Sequence, residues 1–247
     1  MLAQNDTPSS AGSASAAEAA SPPICPLSDS PCGFERELRV KEATIREVYH
    51  RVKNNLQAVE SLLRMQKRRS DSPEVVRAFS EAIVRIRAMA VAHEMLSCSH
   101  DERVEIRPMV VKVADQVKMG LVGASPQIKV NVHGQAGFAG AQQANNLALV
   151  VAEIVHNAIE HGLEQRDEGR VDVYLARGES FLMVRIEDDG WGLPYGFSLQ
   201  NSSSMGLTLV RTLVEDGLLG TVSCGAGANG QGTRFVLIVP LEEPRSA

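Results

Sequence analysis

The stretch Arg46-Glu47-Val48-Tyr49-His50-Arg51-Val52-Lys53-Asn54-Asn55-Leu56-Gln57 organises this chain. Apolar residues at Ile45, Val48, Val52, Leu56, Val59 and Leu63 fall three and four apart, which defines one buried stripe on a helix. At about 100° per residue, His50 lies roughly 160° from both Val48 and Val52 and faces water. Arg46, Lys53 and Asn54 are its neighbours one turn away. An exposed imidazole in basic surroundings, largely neutral at physiological pH, suits nucleophilic attack on an anionic group. A solvated helix face carries such a histidine too, so the remainder of the chain has to decide between the two readings.

With 247 residues, 44% hydrophobic and 22% charged, the chain can bury a sizeable core in one or two domains. No apolar run approaches the roughly 18 residues of a membrane helix, which excludes membrane insertion by that route. The Met1-Leu2-Ala3 start lacks the basic and apolar regions of a signal peptide, so a cytoplasmic location is expected. Cys25, Cys32, Cys98 and Cys224 are too scattered for a disulfide framework or a zinc site and are expected as free thiols. A net charge of −5 argues against direct nucleic-acid binding, although Lys67-Arg68-Arg69 is locally basic.

Residues 1–33, rich in Ala, Ser and Pro, hold almost no large apolar side chains and are expected as a disordered tail. Residues 34–98 read as a helical hairpin. Its first helix ends at Asp71-Ser72-Pro73, and the second carries Val76, Phe79, Ile83, Ile86, Ala90 and His93 at spacings of three and four. Such a hairpin buries half of what it needs, which predicts a homodimer through a four-helix bundle. His93 lies on the apolar stripe and reads as a structural residue rather than a second nucleophile.

Residues 99–242 form a second domain, followed by a short tail over 243–247. Val104-Glu105-Ile106 suggests a short strand, Met109 to Met119 a helix, and Ile128 to Val132 a strand. A helix from Ala141 to Leu163 is apolar nearly all round, yet Glu153, Asn157 and His161 recur every four residues along it. Buried polar side chains need partners, and such a line suggests that a ligand supplies some of them. Strands over Arg170–Ala176 and Phe181–Glu187 lead into Asp188-Asp189-Gly190-Trp191-Gly192, where a carboxylate stands beside backbone that a ligand can approach closely. Met205-Gly206-Leu207 opens another helix, whose N-terminus favours phosphate. Gly220 to Ser223 and Gly232-Thr233 through Pro240 close a sheet. The fold class is α+β, a helical hairpin followed by an α/β sandwich.

Glu153, Asn157 and His161, then Asp188, Gly190 and Gly192, then Gly206, then Gly232-Thr233, form an ordered series that resembles the ATP-binding domain of the GHKL superfamily. The segment from His50 to Gln57 resembles the phosphoacceptor box of two-component sensor histidine kinases, and Lys41 to Pro240 is similar to the catalytic end of their PdtaS-type subfamily. The resemblance implies that His50 accepts the γ-phosphoryl group of ATP and passes it to an aspartate of a response regulator. It implies that Asn157 binds magnesium and that Glu153 lies beside the nucleotide phosphates. Asp188 would take the adenine amino group and Thr233 would support the ring, while Gly190, Gly192, Gly206, Leu207 and Gly232 shape the pocket and its lid. Positioning together with charge neutralisation is what phosphoryl transfer requires.

Some positions depart from the common pattern of that family. Arg51 follows the phosphoacceptor where an acidic base often stands, leaving Glu47 as the candidate base. Glu160 replaces a frequent lysine, so charge support for phosphate passes to His161. The lid is thinned to Ser204-Met205-Gly206. No sensory domain is recognisable, which points to input from a separate sensor protein, from the tail or through expression. Two other functions remain open on sequence alone. One is a GHKL serine kinase or ATPase, which would not need the hairpin; the other is a non-catalytic phosphotransfer scaffold, which would not need the ordered pocket residues.

Overall fold

The computed structural model describes residues 31–99, 103–121, 127–202 and 204–241. The expected tails therefore lie outside the described residues, apart from positions 31–33. From Lys41 onward the chain packs as one compact unit, and the segment up to Val40 is described only as the start of the first helix.

Helix α1 runs Pro31–Arg69, beginning ahead of the expected Phe34, and α2 runs Pro73–Ser97. The link between them obeys simple capping chemistry. Ser72 takes an extended backbone and its Oγ accepts the N–H of Val75 at 3.5 Å, while Pro73, which has no N–H to lose, occupies the first turn. The stripe expected to be buried on α1 is not buried within the single chain. Val48 and Val59 remain 52% and 45% exposed, and Ile45, Val52, Leu56 and Leu63 are half-buried. The cause is the packing of α2, whose Val84, Ala88, Val91, Ala92 and Leu96 join the main core with α3 and α4. Ion pairs tie α1 to α2, Arg87 Nε to Glu60 at 2.7 Å and Lys53 Nζ to Glu94 at 3.5 Å.

The rest of the unit is a sheet covered on one face by helices. Strand β1 (Arg103–Glu105) stops before Ile106, which instead opens α3 (Ile106–Leu121) and is fully buried there; Pro108 is tolerated because it falls in the first turn. Strand β2 (Ile128–Gln135) is followed by β3 (Phe138–Gly140), which pairs antiparallel with β1. Helix α4 covers Ala141–Asn157 and does not continue to Leu163 as a regular helix. Ala158–Gly162 form a wider π-helical turn. Strands β4 (Gly169–Arg177) and β5 (Phe181–Asp188), helix α5 (Met205–Thr212), and strands β6 (Thr221–Ala226) and β7 (Thr233–Pro240) complete the order.

The main sheet has the order β2-β4-β5-β7-β6, with β2 and β4 parallel and the other neighbours antiparallel. Period-2 alternation turns Leu182, Val184 and Ile186 of β5 and Phe235, Leu237 and Val239 of β7 inward. They meet Leu147, Val150, Val151, Ile154 and Val155 of α4, so the helix is apolar almost all round because it has neighbours almost all round. At about 1.5–3 kcal/mol per fully buried aliphatic side chain, this contact dominates the stability of the domain. It also fixes the two ends that matter: the C-terminal end of α4 and the Asp188 end of β5 lie side by side.

Candidate functional site

A cavity of about 460 Å³ opens between those two ends. Its lining includes Glu153 and Asn157 of α4, His161 and Gly162 of the π-helical turn, Asp188 and Gly192 after β5, Gly206 and Leu207 of α5, and Thr233 of β7. Residues from four separate parts of the sequence, expected as one series, are thus neighbours in space. Gly190 and Gly232 stand behind the lining rather than in it, and His50 stands apart, exposed on α1.

Asp188 is held in place from two sides. Its Oδ1 accepts the N–H of Gly190 at 2.9 Å and that of Thr233 at 3.2 Å. Burial nevertheless pushes the carboxyl above its ordinary range, with the backbone bonds from Gly190 and Thr233 working against that rise. The glycines are needed for close approach. A Cβ at Gly190 would overlap the carbonyl of Gly162, and one at Gly232, which has φ +66°, would overlap the carbonyl of Asp188. Trp191 N–H donates to that same Gly162 carbonyl at 3.0 Å, so the loop after β5 is clamped onto the turn after α4. As a carbonyl of the last turn it has no partner within the helix, and Trp191 supplies one.

Glu153 is not a free carboxylate. It is 2% exposed, and Arg85 of α2 holds both its oxygens, Nε to Oε1 at 2.8 Å and a terminal nitrogen to Oε2 at 3.1 Å. Arg85 also meets Glu81 at 3.2 Å. The polar line on α4 is therefore satisfied at its first member by the hairpin, not by a ligand. Asn157 is half-buried and His161 exposed, each at the cavity wall. His156, on the next face of the helix, contacts Glu160 at 2.8 Å and holds that carboxyl below its ordinary range.

Two further expectations are adjusted. The N-terminus of α5 is partly occupied, since Ser204 Oγ accepts the N–H of Leu207 at 3.3 Å and leaves fewer donors for an anion. Glu47, the candidate base, lies exposed with Oε1 bonded to Arg51 Nε at 2.8 Å. His93, expected as structural, is half-buried with its ring 5.6 Å from that of Tyr49, and burial pushes its pKa down.

The wall between the polar groups is apolar, built from Ile154, Ala158, Leu193, Pro194, Phe197 and Phe235. A flat heteroaromatic ring fits such a wall when a carboxylate at its end can accept an amino N–H, which is what Asp188 provides. Among the described residues no three His, Cys, Asp or Glu side chains converge as a metal site. A divalent ion here would take the Asn157 amide and draw its remaining ligands from ligand oxygens and water, as magnesium does.

Comparison with known proteins agrees with this arrangement. Residues 47–119 match the histidine kinase family model, and residues 142–243 match the model described as histidine kinase-, DNA gyrase B- and HSP90-like ATPase. The chain belongs to the histidine kinases. It is 41% identical over 211 residues, 84% of its length, to the sensor histidine kinase PdtaS of Mycolicibacterium smegmatis, and 40% identical over 208 residues to that of Mycobacterium tuberculosis. It spans 41% of the length of each of these relatives. The solved histidine kinase domain of the blue-light-activated kinase EL346 from Erythrobacter litoralis is 25% identical, with a TM-score of 0.59 over 83% of this chain and 96% of that one. For this histidine kinase chain, sequence reasoning missed Arg85, Arg77 and Gly162. The Glu81–Arg85 spacing of one helical turn was visible, but nothing local marks a partner 68 residues further on.

Proposed function

We propose that this chain is the ATP-dependent autokinase core of a two-component system. ATP binds in the cavity with its adenine against the apolar wall and its amino group on Asp188. Asn157 would hold magnesium, which would supply charge neutralisation for the triphosphate. His50 attacks the γ-phosphorus and ADP leaves; the phosphoryl group then passes to an aspartate on the receiver domain of a response regulator, whose acidic pocket suits Arg46, Arg51 and Lys53. The convergence of Asn157, His161, Asp188 and Thr233 on one cavity carries this reading.

His50 is outside the cavity, so transfer requires either movement of the hairpin or a second chain. A homodimer through the apolar residues of α1 supplies the latter and covers Val48, Val59, Leu62 and Met65. No helix among the described residues is long and apolar enough to cross a membrane, and we place the protein in the cytoplasm. The experiment is incubation with magnesium and γ-labelled ATP. The expected label is acid-labile, alkali-stable and lost in His50→Gln; acid-stable label that survives the substitution would point to a serine kinase instead.

A further inference from the structure

The cavity has a wall that belongs to neither the sheet nor its covering helices. Arg77 and Glu81, one turn apart on α2, line it together with His161 and Asn157. The charges at this wall are unevenly committed. Glu153 and Glu81 are both bound by Arg85, whereas Glu160 Oε2 lies 2.8 Å from His156 Nε2 without a hydrogen bond between them. Arg77, by contrast, reaches Glu160 only at 3.9 Å, and its side chain is 62% exposed. It is the guanidinium in the lining, and it can turn to an anion without stranding a buried partner. A guanidinium presents paired N–H donors that match phosphate oxygens, and it stays charged at any working pH.

Building on the cavity as the ATP site, we propose that Arg77, carried by the hairpin, binds the triphosphate tail and supplies the positive charge that Glu160 fails to supply from α4. The nucleotide is then held by both parts of the molecule: its ring by the sheet domain, its phosphates partly by α2. Arg77 is a substrate-binding residue in this account, and His161, in the same lining, assists it.

The test is binding of ATP, ADP and adenosine to the full chain with magnesium, comparing wild type with Arg77→Ala and Arg77→Lys. Because Arg77 is exposed, neither variant should disturb folding. The expected result is a loss of about tenfold in ATP affinity for Arg77→Ala, adenosine unchanged, and partial recovery with lysine, which retains the charge but not the fork. An ATP affinity within about twofold of wild type, or an equal loss for adenosine, would overturn the assignment. Failure of the wild-type chain to bind any of the three would overturn the reading of the cavity as well.

Discussion

Helices α1 and α4 both carry polar side chains at regular spacings on an apolar pattern, yet the same spacing means different things in the two places. On α1, His50, Arg51 and Glu47 are exposed, and the Arg51–Glu47 pair lies in solvent. On α4, Glu153 is 2% exposed and its partner comes from another helix. Polar residues in the first setting are inexpensive and free to react with something outside the chain. In the second they are structural commitments, since an unpaired buried charge costs far more than a solvated one.

This difference can be broken by substitution. Arg85→Met strands Glu153 and should destabilise the fold by about 3 kcal/mol in urea unfolding, with Glu153→Gln in the same background recovering part of it. A loss below about 1 kcal/mol would mean that water reaches Glu153 and that the two helices do not differ as described. Gly232→Ala forces a side chain into the Asp188 carbonyl at a positive φ and should cost about 2 kcal/mol, with nucleotide affinity falling alongside stability. Gly196, also at positive φ but open on all sides, is the matched control, and its alanine variant should cost less.

A smaller effect sits between the extremes. Burial depresses the pKa of His93, so the unfolded chain binds its proton more readily than the folded one. The contribution to stability is complete above the unfolded value near about 6.5 and is lost as pH falls below it. His93→Gln should flatten that part of the stability profile. The smallest change is expected on α1, where Glu47→Ala removes an exposed pair and should shift stability by no more than about 0.5 kcal/mol. A larger shift would show that α1 is covered in solution.

What the sequence made legible follows the same division. The hairpin, the sheet strands and the series from Asn157 to Thr233 were readable because each depends on a local signal: a period, a cap, a glycine beside a carboxylate. Strand β3 and its pairing with β1 were not, since a strand of three residues shows no period; β1 itself was expected, one residue late, at Val104–Ile106. The end of α4 at Asn157 escaped because Ala158-Ile159-Glu160-His161 is as helical in composition as what precedes it. The wide turn is where the loop after β5 packs, with Trp191 N–H on the Gly162 carbonyl. Arg85 and Arg77 escaped for a related reason. Their roles are set by what faces α2 in space, and a reading along one strip of chain finds only two arginines on a charged helix.

The placement of α2 against the cavity has a mechanical corollary. A point at a helix surface lies roughly 5 Å from the axis, so turning α2 by about 30° displaces it by about 3 Å, the span of a hydrogen bond. Because Val84, Ala88, Val91, Ala92 and Leu96 seat α2 in the main core, such a turn requires that core to repack, and a twist of the hairpin is coupled through it to Arg77 and Glu81 at the rim of the cavity.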